Sequence, residues 1–174
     1  MSDPVWQRLQ LLFAHGVGLL LGHEKAQARV LDEEILPNLD RVEPYGFSYR
    51  PKPGCQTYLL FPSGDRSYSV ALVIGDKQYN MQLQEGEVAI HDDEGNYVHL
   101  QRGGNIVVNA AQTVTVKAGT KVRLETPLLE VTGDIVDQCD TTARSMRGMR
   151  ATYDSHTHPE NDSGGPTSAP NQAM

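Results

Sequence analysis

From Val98 onward, apolar residues come in pairs separated by one position: Val98/Leu100, Ile106/Val108, Val114/Val116 and Val122/Leu124, each pair opening eight residues after the last. Leu129/Val131 continues the series one residue early, behind Pro127, and Val88/Ile90 precedes it across the longer connection HDDEGNY. Residues i and i+2 of a strand point to one face, and the residue between them points to the other. That middle position is polar at His99, Thr115, Arg123 and Glu130, with Val107 the exception. A fixed short period predicts stacked coils rather than a globular sheet. A chain this short cannot bury one apolar stripe per coil by winding on itself. Three identical chains about one axis would bury it, each giving one strand to every rung. An antiparallel meander is the plainer alternative, but meanders usually bury larger side chains. From Asn96 to Val131 there is no Phe or Trp, and the sole Tyr is Tyr97 at the edge. The expectation is an intertwined triple-stranded β-helix over 95–150, within a homotrimer.

Upstream the pattern changes. Asp3-Pro4 can open a helix, and Val5, Trp6, Leu9, Leu12 and Phe13 follow at helical spacing until Gly16 and Gly18. This predicts a short N-terminal helix over 1–16, covering a domain or docking to a larger assembly. Strand-like runs then appear at 17–21, 26–31, 55–61, 68–74 and 78–84, around an irregular Pro-rich stretch at 37–54. Short strands with long irregular connections predict a small closed barrel of the OB type over 17–94, and a mainly β fold. OB barrels that bind oligonucleotides bring basic residues and exposed stacking aromatics. These strands carry few basic residues and scattered aromatics, so a structural barrel is the better expectation.

Charge and cysteine usage narrow the function further. A formal net charge of −7, with no basic run, argues against a nucleic-acid partner. Cys55 and Cys139 are far apart and form no C-x-x-C pair, which suits a chain folded in reducing cytoplasm. The apolar stretch at 9–22 is broken by His15 and glycines, and is shorter than the roughly 20 residues a membrane span needs. No export signal or transmembrane segment is expected. Asp92 and Asp93 are adjacent, so on a strand they face opposite ways and cannot flank one bond. They read as a solvated acidic turn, and the chain as no enzyme.

The remaining chemistry lies near the C-terminus, in SHTHPEND at 155–162. On a strand, His156 and His158 would project to one side with Thr157 opposite. Three chains would then bring six imidazoles together, a full octahedral shell. Imidazole suits Fe, Ni, Cu and Zn, but zinc usually takes four ligands. Six equivalent nitrogens favour iron(II), one per trimer, in a structural role because no position stays open. An H-x-H pair also opens the metal sites of amidohydrolase barrels and metallo-β-lactamase-like enzymes, which need further ligands downstream. No His or Cys follows His158. Two idle histidines in a solvated tail are the other alternative.

Four stretches resemble the baseplate assembly protein V family, the central spikes of Mu-like contractile-tail phages. They are VEPYGF (42–47), FPSGDRSYSV (61–70), EGEVAIHDDEGNYVHL (85–100) and SHTHPENDSGGPTSAPN (155–171). The resemblance implies a trimeric spike with an OB-type barrel, an intertwined β-helix and a metal-bearing apex over 151–174 that meets the cell envelope first. It implies His156 and His158 of each chain as the apical iron ligands. Baseplate hub proteins are the implied partners, with the host outer membrane met during penetration. The implied location is the virion tail baseplate, after assembly in the host cytoplasm. A tailocin or type VI-like secretion spike shares this physics. A glycan-binding module would need exposed aromatics at fixed spacing on the repeat, and none lies between Val98 and Val131. One departure from a bare metal cap is the tail of sixteen residues after His158, rich in Gly, Pro, Ser and Asn.

Overall fold

The computed structural model describes residues 12–159 and 164–174, and contacts divide the chain into two compact units, 1–115 and 116–174. The first unit begins with five strands: β1 (Phe13–Leu21), β2 (Lys25–Arg29), β3 (Ile35–Arg41), β4 (Gln56–Leu60) and β5 (Val70–Gly75). They close into a barrel in the order β1-β2-β3-β5-β4, and β1 pairs antiparallel with β4 to complete the ring. The β3–β5 pair is parallel. A mainly β chain opening on a closed five-stranded barrel is consistent with the OB-like fold expected.

Three local readings need correction. Of the helix expected over 1–16, residues 1–11 lie outside the described residues, while Phe13–Gly16 form strand paired with Leu60–Thr57. Gly16 and Gly18 are not helix stops. A Cβ on Gly16 would sit 2.5 Å from the Arg29 carbonyl oxygen, and one on Gly18 3.0 Å from Cys55 Sγ and Thr57 Oγ1. Close approach of neighbouring strands requires glycine there. The stretch at 37–54 hides most of β3. Ala26 pairs with Leu39 and Ala28 with Leu36, so Pro37 and Asn38 face Gln27 in a bulge, with Asn38 at φ +58°. The bulge is what admits a proline to a sheet. Last, 78–84 forms no strand. Lys77–Tyr79 is a 3-10 turn capped by Asp76, whose carboxylate accepts the Gln78 N–H at 3.1 Å. A closed barrel has no free edge for another strand to join.

Alternation along the strands builds the core. Ala26 and Ala28 of β2, Leu39 of β3, Leu59 of β4 and Ala71 of β5 point inward with Leu21, Cys55 and Phe61. Arg41, at the end of β3, is also buried. Its guanidinium donates to the Gly22 carbonyl at 2.6 Å and to the Tyr49 carbonyl, pairs with Glu43, and lies 4.9 Å over the Tyr49 ring. This ties the 42–54 loop to the barrel, aided by Arg50 Nε donating to the Leu21 carbonyl at 2.8 Å. Truncating one partner of such a pair strands the others. Arg41→Ala should therefore destabilise the barrel by about 3–5 kcal/mol, read as a lower urea midpoint at unchanged slope.

A three-stranded antiparallel sheet follows: β6 (Val88–His91), β7 (Tyr97–Gln101) and β8 (Asn105–Asn109), in the order β6-β7-β8. The first three apolar pairs therefore lie on hairpins within one chain, the arrangement of the meander alternative. The register sets Val88 against Leu100, Ile90 against Val98, Val98 against Val108 and Leu100 against Ile106. All six side chains share one face, and they are 37 to 67% exposed. On the other side, buried His99 meets Glu87 at 3.1 Å. Glu87 also accepts the Arg102 N–H at 3.0 Å and the Gln84 N–H at 3.0 Å, and these backbone donors hold its carboxyl below the usual range.

From Ala110 to Ile135 no residue belongs to a strand. In the second unit, β9 (Val136–Asp137) pairs antiparallel with β10 (Arg144–Ser145), and helix α1 (Met146–Ser155) follows directly. Among the described residues no helix is long and apolar enough to cross a membrane.

Candidate metal-binding apex

The histidine pair stands at the end of α1, so the geometry starts with why that helix forms. Ser145 is the N-cap, its hydroxyl accepting the Gly148 N–H at 3.0 Å. Asp134 adds a second acceptor, taking the Ile135 N–H at 2.9 Å and the Arg147 N–H at 3.2 Å. A hydrogen bond from the Ser145 side chain, then those backbone donors, hold the Asp134 carboxyl below its ordinary range. A carboxylate there also faces the positive end of the helix dipole. At the other end, Ser155 Oγ turns back to the Ala151 carbonyl at 2.8 Å.

His156 is the C-cap residue, with φ −70° and ψ +146°. The pair is thus not on a strand, as expected from alternation; it follows a helix in extended backbone. The two rings still come together, with centroids 5.0 Å apart and planes at 87°. His156 Nδ1 lies 2.6 Å from the Tyr153 carbonyl oxygen. A carbonyl can only accept, so Nδ1 carries the proton, and in the neutral ring Nε2 is then the lone-pair nitrogen. Metal-ligating histidines are commonly oriented by such a bond. The donor chemistry therefore fits a metal bound through imidazole. Among the described residues of one chain, however, no group of three or more His, Cys, Asp or Glu could hold an ion.

The tail turns back on itself, which the sequence did not reveal. Thr167 Oγ1 accepts the His158 N–H at 2.8 Å, and the Thr167 N–H donates to the His158 carbonyl at 2.9 Å. The Met174 N–H reaches Asp154 Oδ1 at 2.9 Å.

The acidic turn is held together by its own hydrogen bonds. Asp92 Oδ1 accepts the Glu94 and Asn96 N–H groups, each at 2.9 Å, while Oδ2 takes the Asn96 side-chain amide at 2.6 Å. The Asn96 bonds, side chain first, hold the Asp92 carboxyl below its usual range. Asp93 pairs with Lys52. Both cysteines are free thiols, Cys55 buried and Cys139 exposed.

Residues 22–78, most of the barrel, match the profile of the family described as bacteriophage Mu Gp45, N-terminal. The chain is 26% identical over 140 residues to the baseplate puncturing device gp45 of Escherichia phage Mu, covering 78% of this chain and 71% of that protein. It is 24% identical over 168 residues to the Mu-like prophage FluMu protein gp45 of Haemophilus influenzae, covering 90% and 91%.

Proposed function

We propose that this chain, similar to the Mu-like phage baseplate proteins, is the homotrimeric central spike of a contractile tail. One observation carries the trimer. Val114/Val116, Val122/Leu124 and Leu129/Val131 are 48 to 69% exposed, on backbone that belongs to no strand among the described residues. Apolar side chains in a regular stripe gain from burial, and backbone that this burial takes out of water needs hydrogen-bond partners. Two further copies supply both, as rungs of an intertwined β-helix.

The rest of the role follows from that assembly. The barrel end joins the hub proteins of the baseplate, and the interlocked β-helix carries contraction force to the host outer membrane without any single strand able to peel away. His156 and His158 of each chain hold one iron(II) at the apex. The ion would supply a crosslink among three chain ends that otherwise fray. The role is structural and not enzymatic. Sedimentation of the full chain tests it: a species of three chains is expected, and a folded, soluble monomer would overturn the reading.

A further inference from the structure

The grip of Thr167 on His158 has a consequence for the metal reading above, on which this inference rests. Two hydrogen bonds, at 2.8 and 2.9 Å, hold the peptide groups on both sides of the His158 Cα. Fixing both peptide planes fixes the direction in which the side chain leaves the backbone. His156 has its own restraints, through the end of α1 and the bond to the Tyr153 carbonyl. His158 lies beyond the helix, and the backbone partners it has come from Thr167. Pro159 adds an extended bias to the residue before it but supplies no N–H. The bond from the Met174 N–H to Asp154 brings the returning segment back beside the last turn of α1. Threonine suits the task, because its hydroxyl can accept and its β-branch restricts χ1.

We propose that Thr167 is the positioning residue for the His158 imidazole, and that residues 164–174 form a clasp that aims it at the shared metal. The tail after His158 thus serves the apex rather than trailing from it. Groups that orient a ligand typically contribute about 10- to 100-fold to metal affinity, although they never touch the ion.

The test compares the full-length wild type with Thr167→Val and Thr167→Ser, each loaded with iron(II) and, separately, with cobalt(II). Release to a chelator should speed up by about 10- to 100-fold in Thr167→Val, with a shifted cobalt absorption spectrum. Thr167→Ser, which keeps the hydroxyl, should behave as wild type, and all three should sediment as trimers. Wild-type release and an unshifted spectrum in Thr167→Val would overturn the clasp alone. Loss of the trimer in Thr167→Val would also overturn it, by making Thr167 a folding residue. A wild type that takes up neither ion would overturn the metal reading itself, and this inference with it.

Discussion

Replacing Val116 by Asp abolishes the trimer and leaves the repeat region unfolded or aggregated, while the barrel survives. This is the expected result because Val116 is 69% exposed in one chain and, in the proposed trimer, its burial depends on the other two. A fully buried valine contributes roughly 1.5–3 kcal/mol, and threefold symmetry removes that contribution three times at once. The carboxylates add more, since three like charges would meet in a dry axis with no counter-ion. Charged aspartates instead keep the chains apart. The barrel core of Leu39, Leu59 and Phe61 belongs to another part of the chain and is untouched. Sedimentation gives the assembly state, and urea unfolding followed at the barrel's tyrosines reports whether that domain persists. A Val116→Asp protein that sediments as a wild-type trimer would refute the axial position of this residue.

His158→Ala has the next largest effect, confined to the apex. In the proposed apex six imidazoles would become three, and the metal should be lost on purification. The helix caps at Ser145 and Asp134 do not involve His158, so α1 should be retained. Assembly should be spared as well, because the axial Val and Leu pairs are unchanged. Elemental analysis for iron, nickel and zinc decides it, with about one ion per three chains required in the wild type if six imidazoles complete one shell. One ion per chain, or a metal-free wild type, would mean that the histidines do not share a site.

Much of the barrel was legible from residues alone, and the misses have physical causes. Strands β4 and β5, and β1 from Val17 onward, announce themselves by β-branched and leucine-rich runs bounded by turns. β3 does not, because Pro37 and Asn38 sit inside it, and only the slip in register opposite Gln27 lets the pairing continue. Gly16 and Gly18 look like helix terminators when read locally. Their need becomes visible once the Arg29 carbonyl and the Thr57 hydroxyl lie where a Cβ would be. The run at 78–84 has strand composition but meets a barrel already closed by β1 and β4.

At the apex the division is similar. The residue types of His156 and His158 and their spacing were present in the sequence, as was the i, i+2 alternation of the apolar pairs, because each is a local property of neighbouring residues. That alternation determined which faces need covering. It did not determine that Val88 to Asn109 would form paired strands within one chain while 110–135 would form none. Strand pairing depends on which backbone groups other segments have already satisfied. Nor could local pattern show Thr167 bonded to His158, or Met174 reaching Asp154. Those contacts depend on where a Gly- and Pro-rich tail turns, and such a tail carries no periodicity to read. Sequence determined the side-chain types and the apolar stripe; the tertiary structure decided the backbone path that ties His158 to Thr167 and leaves the stripe exposed in one chain.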